Sequence, residues 1–298
     1  MPKNLTRRSF IKRMFGGVLV LGGISTGGYY YAHEIEPHML DITLHDFPSP
    51  LLPQEFNGFK IVQFSDTHLG FQYNLEQFQK LIKKINGLEP DMIVFTGDLM
   101  DNPNEFKETQ QIIQALTKLR APFGKFAVYG NHDHGGYGSD IYRRIIQEAG
   151  ITLLVNEART VTLLNGSSIH IAGVDDSMLG HPNIESALSG LPENSYTILL
   201  SHAPDFASVA SNYNIQLQLS GHSHGGQIQI PFWGPVVTPP HGEKYPEGFY
   251  QLGHNQGLTL YVNRGLGTTR LPFRFLSKPE LTLFTLTSEG VETRDDRR

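Results

Sequence analysis

The stretch Lys60-Ile-Val-Gln-Phe-Ser-Asp-Thr-His68 joins an apolar run to a carboxylate and an imidazole that follow it directly. A short apolar run bounded by polar residues is typical of a buried β-strand. Asp66 and His68 therefore lie just beyond the carboxyl end of a predicted strand. Oxygen and nitrogen ligands of these two types suit a divalent metal ion, so both residues are candidate metal ligands.

The same design recurs four times further along the chain. Four more predicted strands run directly into Gly97-Asp98, Gly130-Asn131-His132-Asp133, Ser201-His202 and Gly221-His222-Ser-His224. Each motif is weak by itself, because an Asp after a strand commonly caps the next helix and an Asn beside Gly is common in turns. Five such segments in one chain predict a metal site assembled at one edge of a sheet.

Amphipathic helices alternate with the strands in the first half of the chain. Apolar residues repeat at helical spacing between 75 and 85, between 106 and 119 and between 141 and 146. Gly87 and Gly150 predict the ends of the first and third of these helices. Strand–helix–strand repetition favours parallel strands with helices on both faces of the sheet.

Shorter strands are predicted elsewhere. An edge strand is expected around residues 40–44, and Asn165-Gly166 predicts a hairpin turn. Further predicted strands cover residues 151–155, 160–164, 169–174, 227–230, 258–262 and 281–286. The expected architecture is two mixed sheets that face each other, with helices outside.

The segment 231–253 is rich in Pro, Gly and aromatic residues and is interpreted as a long loop, either functional or simply packed on the surface.

Composition excludes several classes of protein. The 298 residues carry a formal net charge of −5, so no nucleic-acid polymer is expected as a partner. The absence of cysteine excludes disulfides, cysteine-based zinc fingers and a thiol nucleophile.

The first 32 residues have the pattern of an export signal. Basic residues precede an apolar, glycine-rich run from 14 to 32, and no acid occurs before Glu34. Within it, Thr6-Arg7-Arg8-Ser9-Phe10-Ile11-Lys12 resembles the twin-arginine (Tat) signature. The alternatives are a chance Arg pair in a Sec signal or a membrane anchor. Because Tyr29-Tyr30-Tyr31-Ala32 lacks the small residue of a cleavage site, a cleaved signal and a retained anchor both stay open.

These patterns divide the chain into four parts and predict its location. Residues 1–32 are the Tat signal or N-terminal anchor, 33–57 lead into the domain, 58–290 form the domain, and 291–298 are a C-terminal tail. The Tat export machinery is the expected partner for export. The expected location is the outer face of the cytoplasmic membrane, the periplasm or the cell envelope, with membrane association through the N-terminus as an option.

Taken together and in order, the motifs resemble the signature of the calcineurin-like metallophosphoesterases. The matching segments are Asp66-x-His68, Gly97-Asp98-x-x-Asp101, Gly130-Asn131-His132-Asp133, Ser201-His202 and Gly221-His222-x-His224. The resemblance extends from about residue 58 to 286 and implies an α/β fold, a four-layer α/β/β/α sandwich of two mixed sheets. This agrees with the strands and helices predicted above.

The resemblance also implies a site with two divalent metal ions (Mn, Fe or Zn). It assigns Asp66, His68, Asp98 and His224 to the first ion. Asp98 as a bridge, with Asn131, His202 and His222, would hold the second. In this family the position of His132 interacts with the phosphate or protonates the leaving group, and Asp101 orients it. A carboxylate at the start of a helix is the alternative role for Asp101.

Substrate residues are less defined. Asn102-Pro103 follows Asp101, whereas serine/threonine protein phosphatases have Arg-Gly there, which argues against a phosphoprotein substrate. The segment 263–274 resembles that of the Tat-exported YkuE and YaeI type of phosphodiesterase. Its arginines, Arg264, Arg270 and Arg274, either grip a second phosphate or are surface and sheet-edge charges. Three roles are open for Trp233: stacking on a base, covering a lipid, or packing in the core.

The sequence as a whole predicts an exported metal-dependent phosphohydrolase, a phosphodiesterase that acts on a small-molecule or lipid-linked phosphodiester. A phosphomonoesterase or a lipid-precursor pyrophosphatase of the UDP-diacylglucosamine type would use the same metals. A non-catalytic binding scaffold would be expected to show a gap in the ligand set or at His132, and the sequence has no such gap. A redox metalloprotein is disfavoured by asparagine as a ligand.

Overall fold

Two six-stranded sheets organise the protein. In the computed structural model, which describes residues 26–134, 138–253 and 257–288, the first sheet has the strand order β1-β14-β2-β3-β4-β5. These strands are β1 (Asp41–Pro48), β14 (Glu280–Thr287), β2 (Lys60–Phe64), β3 (Met92–Phe95), β4 (Lys125–Ala127) and β5 (Thr152–Leu153). All neighbours are parallel except β14 and β2.

The second sheet has the order β12-β13-β9-β8-β7-β6. Its strands are β12 (Gly248–Leu252), β13 (Leu258–Val262), β9 (Leu217–Ser220), β8 (Thr197–Leu200), β7 (Ser168–Gly173) and β6 (Glu157–Thr162). The four central strands are parallel, and each edge strand is antiparallel to its neighbour. A separate two-residue ladder joins β10 (Gln229–Ile230) to β11 (Gly234–Pro235).

Helices cover the outer face of each sheet. Apolar side chains of α1 (Leu75–Gly87), α2 (Thr109–Leu116) and α4 (Gly138–Glu148) pack against β2, β3 and β4, while α3 (Asn131–His134) is a single turn after β4. The short helices α5 (Ile184–Leu188) and α6 (Ala207–Ala210) pack against the second sheet. Residues 26–30 are helical, and single π or 3₁₀ turns lie at Tyr31–Ile35, Glu36–His38, Gln54–Phe56, Pro204–Phe206 and His224–Gly226.

Three apolar layers hold the four layers of secondary structure together. The middle layer lies between the sheets, where Ile61 and Val94 of the first sheet pack in one cluster with Ile198 and Leu219 of the second. Strands β2, β3, β8 and β9 are buried along almost their whole length, because each is covered by helices on one side and by the other sheet on the other. The predicted α/β/β/α sandwich of two mixed sheets is confirmed.

Several boundaries differ from the sequence-based expectation. Helix α2 begins at Thr109 rather than near 106, because Phe106 lies in a turn in which its N–H donates to the carbonyl of Asn102. The strand expected at 227–230 is only the two-residue β10. Conversely, β12 lies inside the segment 231–253 that was interpreted as a loop, because its side chains alternate between exposed and half-buried positions at a sheet edge.

No helix in the described ranges is both long enough and apolar enough to cross a bilayer. Most of the predicted signal or anchor at 1–32, and the predicted tail at 291–298, lie outside the described residues.

Candidate metal centre

The carboxyl ends of five strands meet at one edge of the two sheets. Strand β2 leads into Asp66 and His68, β3 into Asp98 and β4 into Asn131. From the second sheet, β8 leads into His202, and β9 into His222 and His224. The structure therefore brings together side chains from both sheets, as the spacing of the motifs predicts.

Asp66, His68 and His224 form the first cluster of ligand atoms. Nε2 of His68 lies 3.1 Å from Nε2 of His224, which in turn lies 3.4 Å from Oδ1 of Asp66. All three side chains are buried.

Asp98, His202 and His222 form the second cluster. Nδ1 of His222 lies 3.1 Å from Nε2 of His202, and Oδ1 of Asn131 lies 3.3 Å from the same Nε2. Asp98 connects the two clusters, because its Oδ2 lies 3.5 Å from Nε2 of His68 and 3.3 Å from Nε2 of His202. A carboxylate in this position can be shared between two cations.

The outer ring nitrogens show which nitrogen of two imidazoles is free to bind a cation. Nδ1 of His202 lies 2.6 Å from the carbonyl of Thr96, and Nε2 of His222 lies 2.8 Å from the carbonyl of Pro240. A carbonyl only accepts, so these outer nitrogens carry protons, and in the neutral imidazoles the inward-facing nitrogens carry lone pairs. Because converging lone pairs and carboxylates repel each other without a cation, this donor set fits divalent metal ions.

Burial and charge shift the pKa values in the centre strongly. Burial, and then the neighbouring charge of His202, lower the pKa of His222 to about 3. Burial also disfavours protonation of His202, but the adjacent Asp98 carboxylate outweighs it and raises the pKa of His202 to about 10. Without a cation, one proton is therefore held on His202 next to Asp98. A metal ion that binds there must displace this proton.

The backbone at the ligands is unusual. Asp66, His68, Asp98, His222 and His224 all have positive φ, between 42° and 70°. Non-glycine residues adopt this left-handed conformation at a cost of roughly 1–3 kcal/mol each, typically at functional sites.

Glycines in the same motifs permit close approach of the loops. A Cβ on Gly97 would lie 2.6 Å from the backbone nitrogen of Gly130, and a Cβ on Gly221 would overlap Ser65 and Asp66. The strand-end motifs thus need glycine to bring the carboxylates and imidazoles together.

His132 lies beside the two clusters and lines the adjoining pocket. Its backbone N–H donates to Oδ1 of Asp98 (2.8 Å), and its Nδ1 donates to the carbonyl of Asp101 (2.7 Å). Nε2 is the nitrogen left for a bound substrate. Burial lowers the pKa of His132, but the charge of Asp98 and the bond to the Asp101 carbonyl outweigh it, so that the net shift is upward.

Asp101 contacts a metal-ligand candidate as well as His132. Its Oδ1 lies 3.2 Å from Nδ1 of His68 and 3.7 Å from Nδ1 of His132, and it accepts a hydrogen bond from Thr269 Oγ1 (3.0 Å). The side chain therefore lies closer to His68, while the backbone carbonyl of Asp101 orients His132.

Asp133 has a structural role that the sequence did not reveal. Its buried carboxylate accepts hydrogen bonds from the backbone N–H groups of Asp98 (2.7 Å), Leu99 (3.0 Å) and Gly130 (3.0 Å). Burial, with the nearby charge of Asp98, raises the pKa of Asp133 to about 7. The residue joins the loop after β3 to the loop after β4, and its only signal was its place directly after His132.

The three arginines that were considered for substrate binding lie in different environments. Arg270 is exposed and lines the pocket. Arg264 is paired with Asp41 (2.9 Å) and Glu280 (3.3 Å). Arg274 is fully buried, and its guanidinium donates to the carbonyls of Arg264, Gly265, Gly267 and Ser277 at 2.5–3.2 Å.

The burial of Arg274 corrects both interpretations offered above for it, phosphate binding and an exposed charge. One of its nitrogens lies 3.4 Å from Nδ1 of His224, so it supports the loop beside a ligand candidate. Trp233 is 84% exposed, which excludes the core as its place.

The ligand clusters open into a pocket of about 250 Å³. Asp98, Asn131, His132, His222 and His224 form its floor. The rest of its lining combines uncharged polar residues, among them Gln227 and Thr269, with apolar and cationic side chains, namely Met178, Ile228, Val236, Val237, Arg270 and Leu271. The pocket can thus accept a phosphate beside the candidate metal ligands, together with a less polar group.

Comparisons with known proteins agree with this geometry. The family model of the calcineurin-like phosphoesterases matches residues 59–226. The chain is 51% identical to the uncharacterized metallophosphoesterase YkuE of Bacillus subtilis (strain 168), over 96% of this chain and 99% of that protein. It is 31% identical to the uncharacterized metallophosphoesterase YkoQ of the same organism, over 74% and 81%. It is 28% identical to the UDP-2,3-diacylglucosamine pyrophosphatase LpxG of Chlamydia muridarum, over 86% and 92%. The chain belongs to the calcineurin-like phosphoesterase family.

Proposed function

We propose that the protein is a phosphodiesterase that works with two divalent metal ions. The observation that carries this proposal is the position of Asp98, whose Oδ2 lies within 3.5 Å of an imidazole nitrogen in each of the two ligand clusters. Asp66, His68, Asp98 and His224 would hold one ion. Asp98, Asn131, His202 and His222 would hold the other.

Divalent ions held by these residues would supply a nucleophilic water of lowered pKa and positive charge beside the phosphate. The protein's own contribution is the orientation of the ligands and one proton. Because Nδ1 of His132 is held by the Asp101 carbonyl, Nε2 carries the transferable proton when the ring is charged. The hydrogen bond from Nδ1 to the Asp101 carbonyl also favours the charged ring. As water attacks phosphorus and the bond to the leaving oxygen breaks, this proton passes from Nε2 to that oxygen.

A lipid-precursor pyrophosphatase is a second candidate. Two observations favour it over a phosphomonoesterase. The pocket wall next to the metal site contains the apolar side chains Ile228, Val236, Val237 and Leu271. One relative, LpxG of Chlamydia muridarum, is named a UDP-2,3-diacylglucosamine pyrophosphatase. Arg270 lines the same pocket and is the cation best placed to bind a second phosphate.

We also propose that the Tat machinery exports the chain to the outer face of the cytoplasmic membrane or to the cell envelope. This rests on the sequence Thr6-Arg7-Arg8-Ser9-Phe10-Ile11-Lys12 and the apolar run behind it. Replacement of Arg7 and Arg8 by Lys should keep the protein in the cytoplasm. Export of the twin-lysine variant at the normal rate would contradict the Tat route.

Hydrolysis of bis-p-nitrophenyl phosphate and of p-nitrophenyl phosphate tests the activity. The full chain would be assayed after chelation and again after reloading with manganese. Faster, metal-dependent cleavage of the diester supports a phosphodiesterase, and preference for the monoester contradicts it. If neither is cleaved although metal is bound, a non-catalytic scaffold becomes the better reading.

A further inference from the structure

A band of exposed apolar side chains lies next to the mouth of the metal-site pocket. Phe232 and Trp233 form the turn between β10 and β11, and their side chains are almost entirely exposed. The band, called the apolar rim below, consists of Ile230, Phe232, Trp233, Val236, Val237 and Leu271, each at least half exposed. Neighbouring exposed apolar residues of this kind mark an interaction surface.

The apolar rim has no acidic side chain in its own sequence. From Gly225 to Pro240 the chain has no charged residue, and from 266 to 276 its only charges are Arg270 and Arg274. Arg274 is buried, whereas Arg270 is exposed beside Leu271. An apolar surface with aromatic side chains at its tip and a cation at its edge suits the interfacial region of an anionic bilayer.

The N-terminal segment reaches the same part of the molecule. Tyr29 packs edge-on against Phe273 (ring centroids 5.3 Å apart), and the backbone N–H of Arg274 donates to the carbonyl of Ala32 (2.9 Å). Phe275 pairs with the strand leading into the hairpin, because its N–H donates to Gln227 (2.8 Å) and its carbonyl accepts from Gln229 (2.9 Å). The apolar run at 14–32 therefore ends against the segment that carries the apolar rim.

We propose that the apolar rim inserts into the bilayer interface and holds the mouth of the metal-site pocket against the lipid headgroups. Tyr29 and Tyr30, each 59% exposed, would lie at the same level as the hairpin. The pocket shares Val236, Val237, Arg270 and Leu271 with the rim or its edge, so a docked molecule receives phosphoesters from the membrane surface. Membrane docking through this surface is independent of the proposed catalytic activity and can be measured without turnover.

Trp233 is the only tryptophan in the chain, and its fluorescence therefore reports on the tip of the hairpin alone. The full chain would be mixed with vesicles of phosphatidylethanolamine and phosphatidylglycerol, with and without bromine on the acyl chains. We expect a blue-shifted emission on vesicle binding and loss of most of that emission with the brominated lipid. Chain that floats with the vesicles while Trp233 keeps its unshifted, unquenched emission would overturn the proposal, because the N-terminal run would then account for binding.

Two variants control the measurement. The double substitution Ile230→Ser with Phe232→Ser should abolish quenching of Trp233. Leu164→Ser removes an equally exposed apolar side chain in the turn between β6 and β7, at the β6 edge of the second sheet, and should leave quenching unchanged. The emission of Trp233 could instead shift to the blue at higher protein concentration without vesicles. That result would mean that the apolar rim binds a second copy of the chain, and it would also overturn the proposal.

Discussion

Oδ1 of Asp101 lies 3.2 Å from Nδ1 of His68, the ring nitrogen that faces away from the first ligand cluster. The family resemblance implied that Asp101 orients His132, but its carboxylate lies nearer to His68. Nδ1 of His68 makes no hydrogen bond within the described residues, so the contact is electrostatic. A carboxylate beside the outer nitrogen of a ligating imidazole favours a proton there and raises the basicity of the ligating nitrogen. The distance therefore connects Asp101 to metal affinity, in addition to the proton chemistry of His132.

Asp101→Asn should weaken the binding of manganese about 10- to 100-fold, the usual effect of removing such a partner. The substitution keeps the backbone carbonyl that orients His132. A competition titration with a fluorescent chelator measures the affinity. Asp46→Asn, which neutralises an exposed carboxylate on β1, is the matched control and should bind normally. Equal affinity in both variants would show that Asp101 does not support His68.

Asp98→Asn should remove metal from both clusters, because Oδ2 of Asp98 lies beside an imidazole of each. Elemental analysis of purified protein should find little bound metal in this variant and normal content in Asp46→Asn. Retention of one full equivalent would mean that the clusters bind independently and that Asp98 is not shared.

His132→Gln should keep the metals and reduce turnover by about 10²- to 10⁴-fold, the range for loss of a general acid. The loss should be largest for an alkyl diester and smallest for a p-nitrophenyl diester, whose leaving group needs no proton. His38→Gln changes an exposed histidine before β1 and serves as the control. A loss that does not vary with the leaving group would contradict proton donation by His132.

Metal uptake at pH 8 should release a proton. An ordinary histidine, with a pKa of 6.5, is already neutral at that pH, whereas the pKa of His202 is raised to about 10 in the metal-free protein. Calorimetry of manganese binding in two buffers with different ionisation enthalpies counts the released protons. The same proton stabilises the metal-free fold below pH 6.5, and this stabilisation is lost as the pH rises toward about 10. Identical heats in both buffers would contradict the raised pKa.

Gly221→Ala should lower the free energy of unfolding by about 1–3 kcal/mol, because the new methyl group overlaps Ser65 and Asp66 and the loop must shift. Gly87→Ala is the matched control. That glycine ends α1 with open space around it, so alanine should be neutral or stabilising by up to about 1 kcal/mol. Urea titration of the two variants compares them, and equal stabilities would mean that the Gly221 loop is not tightly packed.

The ligand candidates were predictable because each follows a strand directly, so the chain order itself places them at one sheet edge. The role of Arg274 was not, because its burial depends on carbonyls from 264 to 277 and on the contact with Ala32, which are distant in sequence from the metal motifs. Asp133 was missed for a different reason. A carboxylate that binds backbone N–H groups has the same sequence signature as one that binds a cation.

Strand β12 was missed because the Pro- and Gly-rich composition of the segment 231–253 was given more weight than the alternating pattern within it. Gly248-Phe-Tyr-Gln-Leu252 alternates between half-buried and exposed side chains, as an edge strand does, but it follows a segment dominated by proline and glycine. The shortness of β5 was equally hidden, since its apolar neighbours Ile151 and Leu154 are buried without being part of the ladder.

Four of the ligand candidates follow strands of the first sheet, and three follow strands of the second. Cations bound among them would join the two sheets, which are otherwise held together by apolar packing, by loops and by hydrogen bonds such as that from Nε2 of Gln63 to the carbonyl of Ser220 (2.9 Å). Such a clamp can close only after both sheets have formed and met. Metal binding would therefore occur only in molecules in which both sheets have folded and packed together. Removal of the metals by a chelator should correspondingly weaken the interface between the sheets before either sheet unfolds.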